Sequence, residues 1–345
     1  MLRPTTFRRS ALFAVAAAAL LAGSVRAETV ADFYRGKTVT LLMGTGPGGS
    51  YQLYGQVIAD HIGKHIPGQP TIIIEHMEGA GGAKAGNYIY SAASQDGTKL
   101  LETHSLPLVE MLRGGQAIHF KSAKFQWLGC FDEIVQVLAL WHTSPVKTLA
   151  ELKTNAKIVL GSFNKTHLSY QWAKLLQTTI DTPYKVITGY GSGGALNIAM
   201  ERGEIDGWVV AWENLTGTKA QWLKDKQVNI LVQFGMQKLP ELPNVPTLLE
   251  LAPPDKKDVV EFLSAGTPIA RGMAVGPTVP ADRVAALRKA FDDTMKDPAF
   301  LAEAKKRKLA ISPRNAAETQ ALVDKIVSAS PDLIKRVKHA IGADE

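Results

Sequence analysis

Lys37-Thr38-Val39-Thr40-Leu41-Leu42-Met43-Gly44-Thr45-Gly46-Pro47-Gly48-Gly49-Ser50-Tyr51 is the stretch whose reading decides the fold class. Its first seven residues read as a buried strand, being rich in β-branched and large apolar side chains. A turn with four glycines follows. From Tyr51 to Ile66 the apolar residues Leu53, Val57, Ile58 and Ile62 recur at helical spacing. Pro67-Gly68-Gln69-Pro70 stops that helix. The same unit then repeats. Thr71-Ile72-Ile73-Ile74 reads as a strand, Gly79-Ala80-Gly81-Gly82 as a second glycine turn, and Lys84 to Ala93 as a helix. Asp96-Gly97 is a turn signal before a third strand beginning at Thr98.

Farther along, strands are expected at 134–141, 157–161, 184–188, 205–210 and 228–234, with helices at 168–177 and 195–202. Strand–helix–strand repetition predicts an α/β fold with mostly parallel sheets covered on both faces. The character changes at Leu239 to Pro254, which carries five prolines and reads as a connection. Amphipathic helices finish the chain. Val284, Leu287, Phe291 and Met295 mark one, Asp297-Pro298 begins the next, and Asn315 with Glu318 forms a capping pair.

The first 27 residues have the pattern of a secretory leader. Arg3, Arg8 and Arg9 form a positive start, Ala11 to Gly23 is uncharged and apolar, and cleavage is expected after Ala27. The apolar run is shorter than the roughly 20 residues a membrane span needs. Arg8-Arg9 also admits the twin-arginine route. Four of the 39 basic residues lie in this leader and none of the 32 acidic ones, so the rest of the chain carries a net +3. No basic block with interleaved aromatics appears, so nucleic acid is not an expected partner. Cys130 is alone and excludes an internal disulfide or a cysteine-based metal cage. No metal, no cofactor and no catalytic residue is expected. A chain of this length exceeds what one core carries, so two lobes are expected.

The two glycine turns carry the chemistry. A strand-to-helix turn without side chains lets a ligand approach the free N–H groups of the first helical turn, where the dipole adds about 0.3–1 kcal/mol for an anion. Two such turns at neighbouring strand ends hold a carboxylate without any arginine. A rival reading stays open, because Gly44, Gly46 and Gly49 also fit the dinucleotide fingerprint, with Glu75 at the end of the second strand. Against it, an exported enzyme meets no nicotinamide cofactor, and Pro47 lacks an N–H where a phosphate wants one.

Several motifs in order now identify a resemblance. They are the first turn; Glu75 followed by Gly79-Ala80-Gly81-Gly82; Asp96-Gly97-Thr98-Lys99-Leu100-Leu101; Thr166-His167-Leu168; Gly203-Glu204-Ile205-Asp206; and Pro243-Asn244-Val245-Pro246-Thr247-Leu248. Pro277 to Leu287 follows as a late helix start. Together they resemble the substrate-binding proteins of tripartite tricarboxylate transporters, the Bug receptor family. The resemblance implies a type II Venus-flytrap fold, with a leader at 1–27, a first lobe of 28–130 plus 236–345, and a second lobe of 131–235. It implies a periplasmic, monomeric, non-enzymatic receptor. Such a receptor captures a small organic carboxylate (a di- or tricarboxylate or an aromatic acid) and delivers it to a two-component membrane permease. A sensor feeding a membrane kinase uses the same closed surface and stays open as an alternative.

On the first lobe the implied ligand-binding residues are Thr45, Gly46, Gly48, Gly49, Ser50 and Tyr51, then Gly79, Ala80, Gly81 and Gly82, with Thr103 and Ser105 beside them. On the second they are Thr166 and His167, Tyr190, Gly191, Ser192 and Gly193, and Trp212. The chain departs from the family pattern at Gln52, where many members have Asp, and at Met77-Glu78, where Arg-Pro is usual. Trp208 and Trp212 stand where smaller residues are common. A tryptophan in the cleft favours a ligand with an apolar or aromatic body; the alternative is that both rings are core.

Overall fold

A computed structural model describes residues 28–343 apart from 48, 104 and 166. The leader and its cleavage point lie outside the described residues, as do Gly48 and Thr166.

Two mixed sheets, each flanked by helices, make a two-lobed type II binding-protein fold. The first begins with β1 (Thr38–Met43), α1 (Gly49–Ile62), β2 (Thr71–His76), α2 (Ala83–Ser91), β3 (Lys99–Thr103), α3 (Leu106–Arg113) and β4 (Gln126–Cys130). The chain crosses at 131–135 into β5 (Gln136–Trp141) and β6 (Val159–Ser162). It continues through α4 (Leu168–Thr179), β7 (Lys185–Thr188), α5 (Gly193–Glu201), β8 (Gly207–Ala211), α6 (Trp212–Thr216) and β9 (Val228–Phe234). It then returns to the first sheet as β10 (Gly272–Val275). After α7 (Ala281–Lys296) and α8 (Pro298–Lys306) come β11 (Arg314–Asn315), α9 (Ala316–Val327) and α10 (Pro331–Ala340).

Strand order is β11-β4-β10-β3-β1-β2 in the first sheet and β7-β6-β8-β5-β9 in the second. The expected parallel pairing holds within the strand–helix–strand units, where β1 pairs in parallel with β2 and β3, and β6 with β7 and β8. The strands that arrive from the other sheet, β5 and β10, run the other way, as does the short edge strand β11. β10 is antiparallel to β3 and β4, β11 to β4, and β5 to β8 and β9. Each sheet is therefore mixed rather than mostly parallel. A strand that arrives from the other sheet enters from the cleft end, opposite in direction to strands fed by helices of their own sheet.

Central strands show why the sequence reads as it does. β1 is buried from Val39 onward, because both of its faces are covered. Leu41 and Met43 pack with Val57, Ile58 and Phe291 on one side, while Leu42 joins Ile89, Leu101 and Trp127 on the other. Each such side chain contributes about 1.5–3 kcal/mol by burial. The edge strand β2 alternates instead between exposed and half-buried positions. β5 splits likewise, with Leu138 and Leu140 in the core shared with the first sheet and Val137, Ala139 and Trp141 facing Leu196 and Trp208. α10 packs against both α3 and α4, and Thr178 on α4 donates to the Ala340 carbonyl at 3.1 Å. No helix among the described residues is long and apolar enough to cross a membrane.

Because β1 lies between β2 and β3, and β6 between β7 and β8, the carboxyl ends of both parallel triplets open toward the same crevice. That is where ligands bind in open α/β sheets.

Candidate functional site

A cavity of about 490 Å³ lies between the sheets. From the first sheet's turns it is bordered by Thr45, Gly46, Ser50, Tyr51, Gly81 and Ser105, and from the second by His167, Ser192 and Gly193. Residues drawn from both glycine turns and from the second-lobe turn thus meet around one space. Gly44 N–H donates to the Glu102 carbonyl at 2.8 Å, tying the first turn to β3, and His76 Nδ1 donates to the Thr45 carbonyl at 2.8 Å. The second turn is held by backbone conformation. Gly79, Ala80, Gly81 and Gly82 all have positive φ, and Ala80 at 51° is the one that is not glycine. A left-handed alanine costs about 1–2 kcal/mol, a strain of the kind found at functional sites.

Other expected residues stand in or beside the same turns. Gly79, Ala80 and Gly82 shape the second turn but do not line the cavity, and Gly49 begins α1. Thr103 ends β3, two residues before Ser105. Tyr190 and Gly191 lie in the β7–α5 turn, off the wall. Trp212 opens α6 and packs at the edge of the core behind β8. Trp208 borders the cavity instead, with its Nε1 donating to Asn197 at 3.2 Å. A Cβ on Gly193 would sit 3.5 Å from the Trp208 ring, an ordinary contact, so this turn lies directly against the ring.

Three buried oxygens of wall residues have no hydrogen-bond partner within the protein. Ser105 stands at the N-cap of α3 without making a cap bond, and its Oγ, in a residue 6% exposed, has no protein partner. Gln136 Oε1 and Thr45 Oγ1 are also buried without one. A buried polar atom left unsatisfied costs about 1–3 kcal/mol, so three around one cavity mark a place built for a polar guest or water. The helices α1, α3 and α5 all begin here, with Ser50 in the first turn of α1 and Ser105 and Ser192 at the N-caps of the other two, and add the positive ends of their dipoles.

His167 caps α4. Its Nδ1 accepts from the Ser169 N–H at 3.1 Å, which leaves the ring proton on Nε2 as a donor. Burial pushes its pKa down to about 4, so the ring is neutral at ordinary pH. It lies against Phe163 with ring centroids 4.2 Å apart.

Beneath the cavity sits a charged group that sequence reading missed. The Arg271 side chain, 0% exposed, pairs with Glu213 of α6 and lies 3.9 Å from Asp132. Its guanidinium covers the Tyr54 ring at 3.8 Å, and Tyr54 donates to Asp132 at 2.8 Å. Arg271 precedes β10 and Glu213 follows β8, so the pair joins the two sheets under the cleft. Burial raises the Glu102 pKa to about 8 and that of Asp132 to about 7, with Arg271 opposing both shifts. Burial likewise pushes the Cys130 thiol up to about 12. Gln136, Gln171 and Asn214 also stand on the wall without any motif to mark them, as does the face of α3 formed by Leu108, Val109, Leu112 and Arg113. Ser105 followed by Pro107, with Leu108 and Leu112 four apart, was the signal available for that helix.

No family model matches the chain. A curated relative, described as a UPF0065 protein in the gbd 5' region of Cupriavidus necator, is 26% identical over 256 residues, 69% of this chain and 71% of its own length. Among solved structures, the periplasmic binding protein BugD superposes with a TM-score of 0.66 at 19% identity, covering 89% of this chain and 98% of its own. MatC from Rhodopseudomonas palustris, solved with bound malate, gives 0.64 at 19% identity over 86% of this chain and 99% of its own. UPF0065 is the Bug family, so the resemblance read from the motifs is borne out, and with it the two-lobed fold.

Proposed function

We propose that the chain is a periplasmic receptor that binds a small organic carboxylate between its lobes and presents it, closed, to a two-component membrane permease. The observation that carries this reading is the convergence of three helix starts and three unpartnered buried oxygens on one cavity between the sheets. The carboxylate is held by the N–H groups and hydroxyls at Ser50, Gly81 and Ser105, with His167 Nε2 and the Ser192–Gly193 turn closing from the other side. Each such charge-assisted bond contributes about 1.5–3 kcal/mol. In this reading 28–130 with 236–345 form one lobe and 131–235 the other, hinged at the two crossovers, with the Arg271–Glu213 pair across the hinge. Closure then buries ligand and cleft together, and the closed form is what a membrane partner recognises. The solved neighbours are binding proteins, and one of them holds malate, which supports a receptor over an enzyme.

A thermal-shift screen of the purified protein against mono-, di- and tricarboxylates tests it. A ligand at 100 times its Kd stabilises by about 2.7 kcal/mol, a shift of several degrees. A shift with nicotinamide dinucleotides and none with any carboxylate would overturn the reading.

A further inference from the structure

One helix runs the length of the cavity. Ser105, Leu108, Val109, Leu112 and Arg113 all border it, and their spacing puts them on one face of α3. From Ser105 to Arg113 the helix advances about 12 Å, at about 1.5 Å per residue. The cavity therefore has a helix start and a buried hydroxyl at one end, an apolar stripe in the middle, and a guanidinium at the other. Phe163 and Trp208, with ring centroids 6.0 Å apart, provide an aromatic wall from the second sheet.

Arg113 has no ion pair or hydrogen-bond partner among the described residues. Of the other acidic and basic residues on the wall, Glu213 is held by Arg271 and His167 is neutral. Among the described residues, Arg113 thus carries the unbalanced charge of the cavity wall. A cation in the last turn of a helix also complements the dipole, which explains the residue type but not its place on the wall.

We propose that the site takes an elongated dicarboxylate with an apolar spacer, one carboxylate at Ser105 and the glycine turns, the other on Arg113. This rests on the reading of the cleft as a carboxylate site. The spacer lies along Leu108, Val109 and Leu112, where the hydroxyl groups of a compact hydroxy acid find no partner. Arginine suits the far end because its planar fork matches a carboxylate in two parallel bonds.

The test is calorimetric titration of the full chain with succinate, adipate and suberate, and with hexanoate and octanoate matched in length to the last two. Wild type, Arg113→Gln and Arg113→Lys are compared, with melting temperatures for each. Wild type is expected to bind adipate or suberate about tenfold or more tighter than the matched monocarboxylate, and tighter than succinate. Arg113→Gln removes that advantage and leaves monocarboxylate affinity unchanged; Arg113→Lys keeps part of it. An advantage that survives Arg113→Gln, an equal loss for both ligand classes, a change in melting temperature alone, or a preference for succinate overturns the proposal. Monocarboxylate binding with no dicarboxylate advantage overturns this inference by itself. Failure of every carboxylate to bind overturns it together with the cleft reading beneath it.

Discussion

Ser105→Ala separates a ligand-facing hydroxyl from a structural one by the sign of its effect on stability. If Ser105 capped α3, alanine would cost about 1 kcal/mol, a fall of about 1–2 °C in a chain of this size. No cap bond is made, and the hydroxyl is buried with no protein partner. Removing it takes away a group whose desolvation is uncompensated, at about 1–3 kcal/mol, less whatever water in the open cavity restores. The expected change in the free protein is therefore between zero and a gain of about 1 kcal/mol. Binding moves the other way. The lost bond to a carboxylate is about 1.5–3 kcal/mol, or roughly ten- to 150-fold in Kd. Differential scanning calorimetry on the free protein and titration with the best acid from the screen give both quantities. Ser192→Ala is the control, because Ser192 does cap its helix, accepting from Ala195 N–H at 3.1 Å, and its loss lowers the melting temperature. Ser105→Ala with a lowered melting temperature and unchanged affinity refutes the reasoning.

Gly193→Ala meets only ordinary contacts, so the variant is expected to be as stable as wild type or better, while the added methyl on the wall weakens binding several-fold; titration with unchanged affinity places the ligand away from that turn. Trp208→Phe is expected to remove most of the ligand-induced fluorescence change and Trp212→Phe little of it, since Trp208 lines the cavity; equal losses would undo that assignment. Glu102 is raised in the folded state to about 8 from an ordinary value of 4.5. The stability it contributes is full below about 4.5, declines above it and is lost as pH rises through about 8. Glu102→Gln therefore gains stability over wild type at pH 9 and not at pH 4, read by urea unfolding at the two pH values; equal differences at both would show that folding does not raise the carboxyl's pKa.

Local chemistry made much of the fold legible. β9 runs over the residues that periodicity marked, Asp297 accepts from Ala299 N–H to begin α8, and Asn315 with Glu318 closes a capping box on α9. The first glycine turn follows the buried strand β1 and the second follows the edge strand β2, and each leads into a helix. What stayed hidden depends on contacts distant in sequence. β10 is four residues long and has meaning only as the antiparallel filler between β3 and β4. α3 is eight residues with Pro107 in its first turn, and part of its apolar face lines a cavity rather than a core. Arg271 reads as one more arginine until Glu213, Asp132 and Tyr54 surround it. The choice between Trp208 and Trp212 turned on where β8 ends and α6 begins, which composition does not fix.

The most direct measurement is a crystal structure of the protein with the best-binding acid from the carboxylate screen. The expected result is a closed cleft with a carboxylate oxygen within hydrogen-bonding distance of Ser105 Oγ and of a backbone N–H at Ser50 or Gly81, and with the ligand body between α3 and Trp208. A ligand bound outside the cleft, or held within it without either glycine turn, would contradict the central claim.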